Sequence, residues 1–149
     1  LDLNEEGFAR RLGAGVFDLV TAVEVIEHLE NPIGFLRNVR QLLKPDGFAI
    51  LTTPNLENIP ARIKFLLRGK VRMMDERGDP THITPVHWDL LVRQYLPRAG
   101  LVLQADWTYP PAGFLAMRPL FRGFFTIITW IFHGKRLTGD NLVVALQKA

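Results

Sequence analysis

The sequence predicts an α/β fold, and three observations along one stretch carry that prediction. Phe17 to Val23 is a short apolar run with β-branched residues, too short for a typical helix, and reads as a buried strand. Asn31-Pro32 is a helix-start signal, with Asn as N-cap and Pro at the first helical position, and Leu36, Val39 and Leu43 then recur at helical spacing. Lys44-Pro45-Asp46-Gly47 predicts the end of that helix, and Phe48 to Thr53 a second strand stopped by Pro54-Asn55. Strand, helix, strand is a βαβ unit, so the two strands should run parallel. Ligands gather at the carboxyl ends of strands in open parallel sheets. Glu24, Glu27 and His28 lie just past such an end, where chemistry is expected.

The whole chain sets the bounds. Its 149 residues suit one domain with a real core, and 48% hydrophobic with 22% charged residues is ordinary for a globular protein. A net charge of +3 gives no reason to expect a nucleic-acid partner. The absence of cysteine excludes disulfides, zinc–thiolate sites and thiol nucleophiles, and fits a cytoplasmic protein. The chain opens on Leu1 in mid-pattern, so a missing upstream portion is expected.

The other elements follow in order. Leu1 to Asn4 reads as the tail of a strand, and Phe8 to Leu12 as one or two helical turns closed by Gly13-Ala14-Gly15. Ile59 to Leu67 reads as a short helix with Ile59, Ile63, Leu66 and Leu67 on one side. Its basic residues continue through Lys70, Arg72 and Arg77, a run most simply read as a solvated face, with anionic lipid or nucleic acid as the sharper alternative. Asp79 to Thr84 is a loop, and Thr84-Pro85 opens a helix carrying Trp88, Leu91, Val92 and Tyr95 that stops between Pro97 and Gly100. Leu101 to Trp107 and Asn141 to Leu146 are strands.

Between those last strands lies an apolar helical insertion, residues 110–140, whose core is Phe114 to Phe132. Arg118, Arg122, Thr126 and Thr129 step by three or four, one narrow polar stripe on a helix. The uncharged run from Gly123 to Gly134 falls short of the roughly 20 residues a membrane span needs. Packing on the domain or a second subunit would cover this surface, and so would a lid role or contact of 114–132 with a membrane surface.

Were residues 24–28 one helical turn, Glu24, Glu27 and His28 would share a face, and close carboxylates call for a cation or a proton between them. Carboxylates with imidazole suit Mg²⁺ or another divalent ion, and His82 in the later loop is the best candidate for a further ligand, ahead of His87. The alternative is metal-free: Glu27 caps the turn and His28 is a core or general-base histidine.

Phe17-Asp18-Leu19-Val20, the Glu-His-Leu-Glu-Asn-Pro run from Glu27, Lys44-Pro45-Asp46-Gly47 and Thr52-Thr53-Pro54-Asn55 together resemble the class I S-adenosylmethionine-dependent methyltransferases, most closely the ubiquinone-biosynthesis O-methyltransferase type. The resemblance covers residues 1–108, with Asn141 to Leu146 fitting the last strand. It implies a Rossmann-like methyltransferase fold, with this chain forming the C-terminal portion of a seven-stranded sheet and the apolar segment inserted before the last strand. It implies S-adenosylmethionine as cofactor, bound by Asp2 (adenine amino group), Leu3 (a neighbouring backbone donor) and Val23 (methionine part). It also implies a Glu-x-x-Glu-His metal set, here Glu24, Glu27 and His28, joined by His82. Without metal, His28 or His82 would be the general base.

The family's Gly-rich loop and ribose-binding acid have no counterpart in this sequence. The strand at Phe17 should therefore have an unpaired apolar edge, open to another chain or a second copy. Two functions follow as expectations. The first is O-methyl transfer to a small or apolar acceptor, by a cytoplasmic protein that could attach peripherally to a membrane. The alternative is a truncated, non-catalytic methyltransferase-like interaction module.

Overall fold

A computed structural model of the chain describes residues 1–5, 7–75, 78–111, 127 and 136–149. Their elements are α1 (Phe8–Leu12), β1 (Phe17–Val23), α2 (Pro32–Leu42), β2 (Leu43–Pro54) and α3 (Ile59–Arg68). A helical run, α4, follows: Trp88–Leu90 is α-helical, Leu91–Tyr95 widens into a π-turn, and Leu96–Ala99 closes it. β3 (Leu101–Tyr109) and β4 (Asn141–Lys148) end the list. The expected βαβ unit is present, with β1 parallel to β2. The sheet order is β1-β2-β4-β3, and both later pairings are antiparallel. Among the described residues the sheet therefore has four strands, with β1 at one edge.

Local chemistry explains the elements. Asn31 Oδ1 accepts from Gly34 N at 2.8 Å, which starts α2 behind Pro32. Leu36, Val39 and Leu42 then fall on one buried face. They pack on Ala49 and Leu51 of β2 and Leu142, Val144 and Leu146 of β4, the inward positions of strands that alternate. Leu91, Leu96 and Ala99 of α4 close the same core. Buried Asn38 ties α1 to α2, accepting from Ala9 N at 3.0 Å and donating to Gly34 O at 2.9 Å.

Three expectations need correction. β2 begins at Leu43, because Lys44 to Gly47 bulge within the strand: Phe17 pairs with Leu43 and Leu19 already with Phe48. Gly47 is required there, since a Cβ would lie 2.8 Å from Phe17 O. α4 starts at Trp88 rather than Thr84, because His87 is extended (φ −84°, ψ 142°). Leu1 to Asn4 are no strand tail: Leu1 and Asp2 are irregular and Leu3 and Asn4 form a turn, with no neighbouring strand among the described residues to pair with. On α3 only the first turn is buried, so Ile63, Leu66 and Leu67 do not share the burial of Ile59. The 114–132 segment lies outside the described residues except for Ile127, which is exposed. No helix among the described residues is long and apolar enough to cross a membrane.

The chain after β2 is held by Asn55. Its Nδ2 donates to the carbonyls of Arg136, Thr138 and Gly139 at 2.9, 3.0 and 3.2 Å, and Asn58 Nδ2 adds a bond to Gly139 O at 2.8 Å. Arg136 stacks 3.9 Å over the Trp88 ring and pairs with Asp106 and Glu57 at 3.1 and 3.5 Å. Asn55→Ala leaves the Arg136 and Thr138 carbonyls short of a donor, and should cost about 1–3 kcal/mol in urea unfolding. An unchanged unfolding midpoint would show that water replaces the amide there.

Candidate functional site

The site forms where β1 stops. Glu24 takes up a left-handed conformation (φ 51°), uncommon for a residue with a Cβ. Thr52 of the neighbouring strand holds it there. Thr52 O and Oγ1 both accept from Glu24 N, at 3.2 and 3.0 Å, and Thr52 Oγ1 donates to Glu24 Oε1 at 2.8 Å. The chain then makes a single 3₁₀ turn, Ile26–His28, which buries Ile26 and Glu27 together.

Glu27 is fully buried, and neither carboxylate oxygen has a hydrogen-bond partner. Its backbone carbonyl accepts from Ile83 N and Thr84 N, both at 2.9 Å, so the loop before α4 is pinned across the end of β1. That pinning delivers His82, whose Nε2 lies 4.0 Å from Glu27 Oε1. His82 Nδ1 donates to Met73 O at 3.0 Å, which leaves Nε2 with its lone pair free. His28 Nδ1 donates to Thr81, 3.1 Å from its carbonyl and 2.9 Å from its hydroxyl, and again Nε2 is left free. The Thr81 hydroxyl proton goes to Asp79 Oδ1, completing a chain Asp79–Thr81–His28. The two imidazoles meet edge-on with centroids 4.6 Å apart.

Burial is the main reason that the Glu27 carboxyl is pushed above its ordinary value. Negative charge on Glu24 adds to the rise, while the Glu27 backbone, nearby Thr53 and His82 oppose it. The Thr53 hydroxyl lies close without reaching hydrogen-bond geometry, so its influence is electrostatic. Asp79 moves the other way, held below the carboxylate range by the Thr81 hydroxyl and the Thr81 N–H.

One donor atom from each of Glu27, His28 and His82 lies within 4.8 Å of the other two. Glu24 is not in this group. Its left-handed backbone breaks the helical turn that would have put it on the same face, and its carboxylate is engaged by Thr52. His87 is exposed at the start of α4 and lines a different cavity. Leu3 and Val23 come together with Val25 in the lining of an apolar cavity of about 250 Å³ beside β1. Asp2 is exposed outside that lining, its Oδ1 accepting from Asn4 N at 2.9 Å. Sequence reasoning missed Thr52, Met73, Asp79 and Thr81 as positioning groups. Only the Asp79-Pro80-Thr81 turn was detectable, since Asp two residues before a threonine favours such a bond.

The fold and this polar strand end define the class of protein. Residues 3–105 match the family described as Methyltransferase domain, and the chain belongs to that family. Among curated proteins it is similar to the ubiquinone biosynthesis O-methyltransferase of Roseobacter denitrificans, 49% identical over 107 residues, which are 65% of this chain and 42% of the relative. The Caulobacter vibrioides protein of the same name is 51% identical over 43 residues, 29% of this chain and 17% of the relative. The chain thus spans less than half the length of these curated relatives. Its fold resembles a SAM-dependent methyltransferase from Archaeoglobus fulgidus, at TM-score 0.58 and 17% identity over 99% of this chain and 66% of that one. It also resembles the trans-methyltransferase CalH, solved with SAH, at TM-score 0.53 and 23% identity over 100% of this chain and 35% of that one.

The buried carboxylate gives a signed stability prediction. A raised folded-state pKa means that stability falls as pH climbs through the unfolded value, about 4.5, and that the loss is complete above the folded one. Glu27→Gln removes the charge and keeps the shape, so in metal-free buffer it should be more stable than the native protein at pH 8. The difference should be on the order of 1–3 kcal/mol and shrink toward pH 4. Thermal melts at the two pH values test this, and a destabilised variant at pH 8 would mean that the carboxylate has a partner in solution.

Proposed function

We propose that this chain serves S-adenosylmethionine-dependent methyl transfer to an oxygen of a small, apolar acceptor, with Glu27, His28 and His82 as the residues that carry it. The observation behind this reading is the unpartnered carboxylate of Glu27, buried beside His82 and adjacent to His28 at the carboxyl end of a parallel strand. Such a group costs stability, and a pure interaction module has no use for it. In the proposed reaction a free imidazole Nε2, of His28 or His82, takes the proton of the acceptor hydroxyl. S-adenosylmethionine, when bound, would supply an electrophilic methyl group to that oxygen and leave as a neutral thioether. Asp79, through the Thr81 hydroxyl, fixes the His28 tautomer with Nε2 as the basic atom.

The same three residues have the chemistry to hold a divalent metal. One carboxylate with both oxygens unpartnered and two imidazoles with free Nε2 atoms form a donor set suited to such an ion. Bound there, the ion would lower the pKa of the acceptor hydroxyl. On the donor side, Leu3 and Val23 would meet the apolar parts of S-adenosylmethionine in the cavity beside β1, with Asp2 toward the adenine. A second cavity, of about 380 Å³ and lined by apolar Leu56, Phe65 and Val71 beside charged Glu57, Arg62 and Asp89, has room for an acceptor. Val71 is two residues from Met73, which orients His82. The β1 edge offers a surface through which two copies could pair.

Transfer of labelled methyl groups from S-adenosylmethionine to a panel of apolar phenols and alcohols tests the reaction. His28→Ala or His82→Ala, whichever removes the base, should lower kcat by about 10²–10⁴. No transfer to any hydroxyl acceptor, together with no S-adenosylhomocysteine binding by calorimetry, would overturn the proposal for this chain. The metal has its own readout. Mn²⁺ should raise the Tm of the native protein and leave Glu27→Gln unmoved. A native Tm indifferent to Mn²⁺, Mg²⁺ and EDTA removes the ion and leaves the imidazoles as the base.

A further inference from the structure

α3 is anchored at its first turn, and Lys64 further along it pairs with Asp75 at 2.8 Å. Asn58 is fully buried, its Oδ1 accepting from Ala61 N at 2.9 Å, and Ile59 N donates to Leu137 O at 3.1 Å. Beyond Ala61 its large apolar side chains are left uncovered. Phe65, Leu66 and Leu67 are 58%, 83% and 75% exposed, with Ile63 beside them. Three large apolar side chains in succession, standing in water at the tip of a helix, need a cover.

Charge identifies the cover. Between Glu57 and Asp75 there is no acidic residue, while Arg62, Lys64, Arg68, Lys70 and Arg72 all fall in that interval. Lys64 is neutralised by Asp75 and Arg72 by Asp140. Arg62, Arg68 and Lys70 form no ion pair among the described residues, and they flank the apolar tip on both sides. An apolar wedge ringed by cations matches the boundary between anionic headgroups and acyl chains. Nucleic acid would satisfy the cations and leave the leucines wet. A second copy needs about 800 Å² from each partner for a stable interface, far more than one helix tip provides.

We propose that the C-terminal half of α3 inserts shallowly into an anionic membrane surface, with Phe65, Leu66 and Leu67 among the acyl chains and Arg62, Arg68 and Lys70 at the headgroups. Gly69, left-handed at φ 62°, ends the helix directly behind the wedge and returns the chain along the headgroup level. This attachment does not depend on the chemistry proposed for Glu27, His28 and His82. It does set the acceptor cavity, which Phe65 lines, at the membrane face.

Co-sedimentation of the full chain with vesicles of phosphatidylcholine, with and without 30 mol% phosphatidylglycerol (about a third anionic lipid), tests the proposal. Binding should be at least about tenfold stronger to the anionic vesicles and weaken as salt rises. Leu66→Glu with Leu67→Glu should abolish it, and Arg68→Glu with Lys70→Glu should remove only the preference for anionic lipid. These side chains are exposed, so circular-dichroism melts of both variants should overlay the native one. Failure of the native chain to sediment with either vesicle overturns the proposal. So does equal binding by the leucine double variant. A concentration-dependent dimer in analytical ultracentrifugation that this variant abolishes, without vesicle binding, would make a second copy the cover and also overturn it.

Discussion

The parallel pairing of β1 with β2 is the constraint on which the rest depends. Parallel strands cannot be joined by a tight turn, so the chain must leave the end of β1, cross the sheet and return. α2 makes that crossing, and its apolar face becomes the main helical wall of the core. The departure point is left without a strand partner at the carboxyl end of the sheet. Polar residues can collect there because Thr52, at the end of the paired strand, supplies the hydrogen bonds that let Glu24 turn the chain sharply.

From that turn the site is assembled by backbone before side chains. The Glu27 carbonyl draws Ile83 and Thr84 across the strand end, and the His82 ring arrives with them. Met73 and Thr81 then fix both imidazoles in the same tautomer. The Glu27 carboxylate is sealed inside with no hydrogen-bond partner, an arrangement that destabilises the fold when charged. Proteins keep such groups where a proton or a cation is to be handled. The residues stabilising the surrounding frame, Asn38, Asn55 and Asn58, are in contrast each hydrogen-bonded through their amides.

α3 shows a different use of the same economy of contacts. Its first turn carries the anchor, and its last turns carry side chains that the body of the protein does not cover. Helical spacing alone puts Ile59, Ile63, Leu66 and Leu67 on one side. The structure splits that side in two: Ile59 is buried, whereas Ile63, Leu66 and Leu67 are exposed.

What the sequence by itself determined is whatever depends on neighbours along the chain. The bounds of β1 and α1, the start of α2 at Asn31-Pro32 and the βαβ order follow from apolar periodicity and capping chemistry, and the joint motifs at Glu27, Lys44 and Thr52 identified the family. Three matters were decided only by tertiary structure. The bulge at Lys44 to Gly47 depends on the register against Phe17, which is a property of two strands. The departure of Glu24 from the expected face depends on Thr52, 28 residues away in sequence. The meeting of Glu27 with His82 depends on a loop that crosses the sheet end, and no local spacing encodes the 4.0 Å between them. Local physics sets elements and their ends, whereas a site built from separate loops exists only once long-range hydrogen bonds have brought them together.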